Sequence, residues 1–284
     1  MLKRFQKLIG HPGFKADPLG VLWRGAVWAG CVATRRAPVF HLTEGGGERI
    51  QVPPTMRYTS VATYLLRDWT EPELRELNRF IGPGDIFVDV GANIGLYTLK
   101  AARIVGQGGR VLAVEPGASA AASLAHNLAL NPFANVTVAQ KALSSEDGWA
   151  TLHHVPLGND PQAFSLLAGA GTSEGEKVET ITLDRLATEA GLARIDCIKI
   201  DVEGAEPMVL RGALAVVERW QPTVILEVNC PTGTVGGTPP DAAWNILAER
   251  GYRFSRLQDG QEKAIDRLPA DFCNVVARHP ARAR

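Results

Sequence analysis

Carboxylates stand where short apolar runs stop. Asp89 lies inside Ile86-Phe-Val-Asp-Val90, Glu115 follows Arg110-Val-Leu-Ala-Val114, Asp201 and Glu203 follow Cys197-Ile-Lys-Ile200, and Glu227 closes Thr223-Val-Ile-Leu-Glu227. A carboxylate so placed can hold a cation, accept hydroxyl hydrogens or take a proton during a reaction. Between the first two runs lies Gly91-Ala-Asn-Ile-Gly95, followed by Leu96, Tyr97, Thr98, Leu99, Ala101 and Ala102, which suit a helix. The stretch reads as a buried strand, a glycine turn and a helix. Glycines let the turn take positive φ and let a ligand approach the backbone, and the free N–H groups of the helix start face the same place.

The ligand can be narrowed from these residues. The dinucleotide fingerprint needs a glycine at the middle of G-x-G-x-x-G to admit a pyrophosphate, and Asn93 occupies that position. Asp89 also argues against an anion and suits an amino group or a sulfonium. Glu115, 24 residues after Gly91, ends the second strand, where a carboxylate can accept both hydroxyls of a ribose. A nucleoside joined to a cationic amino acid, without phosphate, describes S-adenosylmethionine. The candidate cofactor set is Asp89, Gly91, Asn93, Gly95, Thr98 and Glu115. Ala142 reads either as a small residue against an adenine face or as an ordinary packed turn.

Several segments together resemble the FkbM family of class I S-adenosylmethionine-dependent methyltransferases. They are Glu71-Pro72, Val88-Asp-Val-Gly-Ala-Asn-Ile-Gly95, Val114-Glu-Pro116, Ala142-Leu143, Thr182-Leu-Asp-Arg-Leu186, Lys199-Ile-Asp-Val-Glu-Gly204 and Asn274-Val-Val-Ala277. The resemblance spans roughly residues 65–280. It implies Glu71 near the amino-acid end of the cofactor, although an acid at a helix start has its own electrostatic reason. It also implies an O-methyltransferase acting on hydroxyls of sugars, glycans or small secondary metabolites.

Methyl transfer from a sulfonium is an in-line displacement with a good leaving group, so positioning supplies much of the rate. A hydroxyl acceptor must still lose its proton to a nearby base. Asp201 is the first candidate, Glu203 the second and Glu227 the third. Glu203 reads equally as a helix-end acid, and Lys199 as a structural ion-pair partner. Asp201, Glu227 and Asn229 offer oxygen ligands that Mg²⁺ accepts, but without a third carboxylate a metal is not favoured. Two other classes remain open: a non-catalytic S-adenosylmethionine-binding module, and a nicotinamide-dependent oxidoreductase, against which Asp89 and Asn93 count.

The elements that must position these residues alternate strand and helix, which predicts an α/β, doubly wound, mostly parallel sheet. In such sheets ligands bind beyond the C-terminal strand ends, where Gly91, Glu115, Asp201 and Glu227 fall. With the resemblance, the expectation is a seven-stranded Rossmann-like domain over 61–280, a helical extension with a short strand over 1–60, and a tail over 281–284. Thr70 to Phe80 should be a helix capped by Thr70, burying Leu74, Leu77 and Phe80. The glycine- and serine-rich stretch 158–177 reads as a loop walling the acceptor site.

The formal net charge of zero predicts no nucleic-acid partner. Residues 1–60 hold nine Lys/Arg against three Asp/Glu, and residues 1–10 have a basic amphipathic pattern open to a peripheral membrane reading. Leu19 to Thr34, the most apolar stretch, is too short to span a bilayer. Cys31, Cys197, Cys230 and Cys273 form no C-x-x-C pair, and the first residues lack a signal-peptide pattern. A cytoplasmic protein is expected. The sequence carries no signal for oligomeric state.

Overall fold

The computed structural model describes residues 8–56, 58–154, 164–166, 175–228, 239–258 and 260–282. Most of the basic amphipathic segment 1–10, much of the 158–177 stretch, and Asn229 lie outside them. The N-terminal part holds α1 (Pro12–Ala16), α2 (Pro18–Thr34), β1 (Val39–His41), β2 (Arg49–Gln51) and α3 (Tyr58–Leu66). Asp17 caps α2 by accepting the Gly20 N–H at 2.9 Å, with Pro18 in the first turn. Thus the apolar run from Leu19 is a helix, and it packs on α3.

A 3₁₀ turn (Arg67–Thr70), α4 (Pro72–Arg75) and a second 3₁₀ turn (Leu77–Arg79) replace the single helix expected over 70–80. Leu74, Leu77 and Phe80 are buried as expected. Their spacing of three residues stacks them along one line at three residues per turn, so the tighter helix serves them. Thr70 does not cap. Its hydroxyl donates to the Arg67 carbonyl, and the carboxylate of Glu71, at the N-cap position, is turned into the interior.

Then follow β3 (Ile86–Val90), α5 (Leu96–Val105), β4 (Arg110–Val114), α6 (Ala118–Ala129), β5 (Val136–Ala139), β6 (Ala142–Leu143), β7 (Gly148–His154), β8 (Phe164–Ser165) and β9 (Glu176–Ile181). The chain closes through α7 (Leu183–Glu189), β10 (Cys197–Ile200), α8 (Glu206–Arg211), α9 (Leu214–Trp220), β11 (Thr223–Val228), α10 (Ala242–Ala248), β12 (Arg253–Gln258), β13 (Gln261–Ile265) and β14 (Cys273–Arg278).

The main sheet is α/β and doubly wound, in the order β13-β12-β14-β11-β10-β3-β4-β5, parallel from β11 to β5. It has eight strands rather than seven. The extra strand, β13, is polar and exposed, and among the described residues pairs only with β12, after a turn at Gly260 (φ 72°). An edge strand without apolar alternation escapes a pattern reading, although Asp259-Gly260 is a hairpin signal. A second sheet, β6-β9-β7-β8, stands beside it.

Side chains alternate across the sheet. Val88, Val90, Leu112, Ile198, Ile200, Val224 and Leu226 form one buried face, and Phe87, Val111, Cys197, Ile225 and Val276 the other. Register puts Asp89 beside Lys199, Lys199 beside Ile225, and Glu227 beside Asn274. By this parity Asp89, Lys199, Asp201, Glu227 and Asn274 share the second face, at its C-terminal edge.

The N-terminal elements share a core with the glycine turn: Val21, Trp28, Phe40, Leu42, Ile50 and Tyr64 cluster with Ile94 and Leu99. Asn127, fully buried on α6, joins the two parts. It accepts the Gln51 N–H at 2.9 Å and donates to the Ile94 carbonyl at 2.9 Å. Replacing Asn127 by Ala strands the buried Ile94 carbonyl and the half-buried Gln51 N–H, so we expect a loss of about 2–3 kcal/mol in urea unfolding. A loss below about 0.5 kcal/mol would show that this bridge does not hold the two parts together.

Candidate active site

The strand order reverses at β3, with β4 to one side and β10 to the other, and a cleft of about 800 Å³ opens there. Gly91 (φ 79°), Asn93 (φ 49°) and Gly95 (φ 98°) all take left-handed backbone, so the turn is built of residues tolerant of it. A Cβ on Gly91 would lie 1.8 Å from the carbonyl oxygen of Asp201. The N–H groups of Gly91 and Ala92 both donate to the Val114 carbonyl at 3.0 Å. The turn is thus clamped between β4 and β10.

Glu71, Asp89, Gly91, Asn93, Glu115, Ala142, Asp201 and Glu203 all line this cleft. Gly95 and Thr98 do not. A Cβ on Gly95 would press on Leu124 at 2.6 Å, so that glycine serves helix packing. Thr98 is fully buried and donates its hydroxyl to Asp89, so it orients that carboxylate from behind.

Glu115 is 6% exposed, and its two oxygens accept the N–H groups of Asn93 and Gly117, each at 2.8 Å. Each oxygen keeps a lone pair. Burial raises its carboxyl to about 7 despite those bonds. Burial likewise raises Asp89 to about 6, against the Thr98 hydrogen bond and the Lys199 charge. Glu227 is driven well above its ordinary value by burial and by the Asp201 carboxylate, and its Oε2 is buried without a hydrogen-bond partner among the described residues.

Lys199 is 1% exposed. Burial alone would lower its pKa, but Asp201, Glu71, Glu227 and Glu73 outweigh burial and raise it. Its ammonium donates to Asn274 Oδ1 at 2.7 Å, lies 3.7 Å from Asp201 and sits over the Tyr97 ring. Asn274 passes two hydrogen bonds on, to Glu71 at 2.8 Å and Glu73 at 3.2 Å, and the Tyr97 hydroxyl donates to Glu71 at 2.7 Å. Tyr97, Glu73 and Asn274 were not singled out as site residues from the sequence. Their signals were only a tyrosine in the first turn of the helix after the glycine turn and an asparagine at the start of a late strand.

Asp201 leaves β10 with its N–H on the Val90 carbonyl at 3.0 Å, and its side chain is 33% exposed. The following turn carries Glu203 at φ 53°. It is held by Glu206 Oε1, which accepts the Val202 and Gly204 N–H groups at 3.2 and 3.1 Å. Among the described residues no group of three or more His, Cys, Asp or Glu side chains has metal-holding geometry.

In all, the cleft presents the carboxylates of Glu71, Glu73, Asp89, Glu115, Asp201, Glu203 and Glu227 against the cations Lys141, Lys199 and Arg256. Carboxyls raised by burial in such a place lack a counter-charge, and a cationic ligand supplies one. Asp89 and the Asn93 Oδ1 at the turn, which has no hydrogen-bond partner among the described residues, with the lone pairs left on Glu115, fit a cationic nucleoside carrying hydroxyls.

Residues 89–254 match the methyltransferase FkbM domain family. Methyltransferase sdnD of Sordaria araneosa is 34% identical over 219 residues, covering 67% of this chain and 80% of that protein. The 31-O-demethyl-FK506 methyltransferase FkbM of Streptomyces tacrolimicus is 32% identical over 181 residues, 54% of this chain and 69% of that protein. The crystal structure of methyltransferase FkbM from Methylobacillus flagellatus KT aligns over 89% of this chain and 59% of that chain, with TM-score 0.45 and 16% identity.

The raised carboxyls make stability fall with pH. Folded, Glu115 keeps its proton to about 7 and Asp89 to about 6, whereas unfolded carboxyls release theirs near 4. The unfolded state therefore binds fewer protons between these limits, and stability declines as pH rises from 4 to 7. Glu115→Gln removes its share, on the order of 3 kcal/mol at the limit. Urea unfolding from pH 4.5 to 8 should show a shallower decline in the variant, and an unchanged slope would contradict the assignment.

Proposed function

The chain belongs to the family of FkbM-domain methyltransferases, which are S-adenosylmethionine-dependent, and from that premise we propose that it methylates a hydroxyl of a sugar, glycan or small secondary metabolite. The observation that carries this is the contact between the glycine turn and the end of β10: Gly91 has room only for a hydrogen where it meets the Asp201 carbonyl. A ligand on the turn therefore has the Asp201 side chain beside it. The Streptomyces tacrolimicus relative, by its name, acts on an O-demethylated metabolite, which supports oxygen as the acceptor atom.

When bound, S-adenosylmethionine supplies a methyl group activated by a cationic sulfur. The chain's own groups do the rest. Glu115 would accept ribose hydroxyls on the lone pairs that Asn93 and Gly117 leave free. Asp89, held by Thr98, would supply negative charge under the turn. Glu71, fixed by Tyr97 and Asn274, would hold the ammonium of the amino-acid end. Ala142, 3% exposed on β6, gives a flat apolar wall for the base. Positioning of this kind contributes most of the acceleration when the leaving group is already good.

Asp201 is the proton acceptor. Its side chain has solvent access, so a proton received from the acceptor hydroxyl can leave the site. Glu227, whose carboxyl is raised by burial and by the Asp201 carboxylate, is the weaker candidate for that role. Glu203 lies on the turn beside Asp201 and orients the acceptor. Lys199 holds Asp201 and Asn274 in place and is a positioning residue.

Asp201→Asn keeps shape and the Lys199 contact but cannot take a proton. Calorimetry should give S-adenosylhomocysteine affinity within about threefold of wild type, while methyl transfer from labelled cofactor to a panel of hydroxyl acceptors falls at least about 100-fold. Turnover surviving in the variant would sink the role of Asp201, and lost affinity would make it a cofactor ligand instead.

A further inference from the structure

Helix α2 is apolar nearly all round. Val21 and Trp28 point inward, at 1% and 2% exposure, and pack against α3 and β1–β2. The opposite side is bare: Leu19 is 81% exposed, Leu22 51% and Trp23 71%, and Ala26, Gly30 and Ala33 continue the exposed line to the end of the helix. At 100° per residue these six positions fall in one arc of the helix, without a charged residue among them. A helix apolar on every side is a buried helix, so something outside the described residues of this chain covers this face.

Charge identifies what. Arg24, the one cation inside the helix, is turned inward. It donates to the Leu65 carbonyl at 2.8 Å and engages Asp17 and Glu44, which neutralises the nearby acids. The exposed side chains of Lys15, ahead of the helix, and of Arg35 and Arg36, behind it, make no hydrogen bond or ion pair among the described residues. The apolar face, about 25 Å long, is therefore capped at both ends by positive charge that is unpaired among the described residues. A second copy of this chain laid on it, parallel or antiparallel, brings cation against cation at each end. An anionic sheet of headgroups over an apolar interior satisfies both features at once. An exposed tryptophan beside two leucines suits the boundary between headgroups and acyl chains.

We infer that α2 docks the protein on an anionic lipid surface, with Leu19, Leu22 and Trp23 entering the acyl boundary and Lys15, Arg35 and Arg36 meeting the headgroups. No helix among the described residues is long and apolar enough to cross a membrane, so the contact is lateral. The docked face is one helix away from the cleft, because α3, against which α2 packs, contributes Ala62, Thr63 and Leu66 to the cleft wall. The inference stands independently of the acceptor assigned above.

Flotation of the full chain with vesicles tests it. The wild type should rise with vesicles of phosphatidylcholine mixed with phosphatidylserine, stay behind with phosphatidylcholine alone, and bind less as salt is raised. Leu19→Asp with Trp23→Asp, both at solvent-exposed positions, should lower partitioning at least about tenfold, as should Arg35→Glu with Arg36→Glu. Far-ultraviolet circular dichroism confirms that each variant is folded. The inference is overturned if the wild type ignores anionic vesicles or if the folded variants float as it does. It is equally overturned if light scattering finds a dimer that the Leu19/Trp23 variant dissociates, which assigns the face to a second copy.

Discussion

One steric fact governs the site: Gly91 sits where a side chain would overlap the Asp201 carbonyl. The turn after β3 can bend at positive φ and lie against the end of β10 only because nothing projects from it. The two Val114-bound N–H groups hold it from the other side. The turn after β3 and the end of β10 that carries Asp201 are therefore parts of one packed unit. The spacing between the turn and Asp201 is set by backbone contact rather than by long side chains, which is the kind of positioning that the proposed in-line displacement would need.

The price of gathering acids at those strand ends is visible in their chemistry. Desolvation pushes Asp89, Glu115 and Glu227 upward. A buried lysine offsets part of this, and its charge survives burial because four carboxylates surround it and Asn274 Oδ1 accepts a hydrogen bond from it. Removing Lys199 would leave those acids unbalanced, whereas removing one acid leaves the others to share the same cation. The asymmetry gives Lys199 a structural weight greater than that of any single carboxylate near it. The same imbalance makes the cleft receptive to positive charge.

The sheet was legible because its strands are short, apolar and bounded by glycine or acid. Ile86–Val90 was readable to the residue, and Thr223–Val228 to within one residue of its end. Glycine turn, helix and Glu115 were readable for the same reason: their residue types answer local backbone demands. Three things were not. The 70–80 segment broke into 3₁₀ turns because its buried residues repeat every three positions, a tertiary demand that overrides the capping signals at Thr70. Strand β13 has no apolar face to betray it. The network through Tyr97, Asn274 and Glu73 joins residues 201 positions apart in sequence, and only sheet register brings Asn274 opposite Glu227. Local pattern carries no information about such pairings.

The N-terminal elements belong to this logic rather than standing outside it. Their apolar cluster runs without a gap into Ile94 and Leu99, on and just after the glycine turn, and Asn127 ties β2 to the Ile94 carbonyl. Glu48, 1% exposed, reaches across to Arg103 on α5 at 3.1 Å. The turn is thus supported from beneath by residues appended ahead of the sheet, and α3 of the same unit supplies one wall of the cleft. On the proposed function, this arrangement would separate two tasks physically. Contacts that would hold a methyl donor lie in the sheet and its first turn, where a Cβ is enough to disrupt them. Surfaces that would meet an acceptor lie on elements joined to the turn by packing, where side chains can change without moving that backbone.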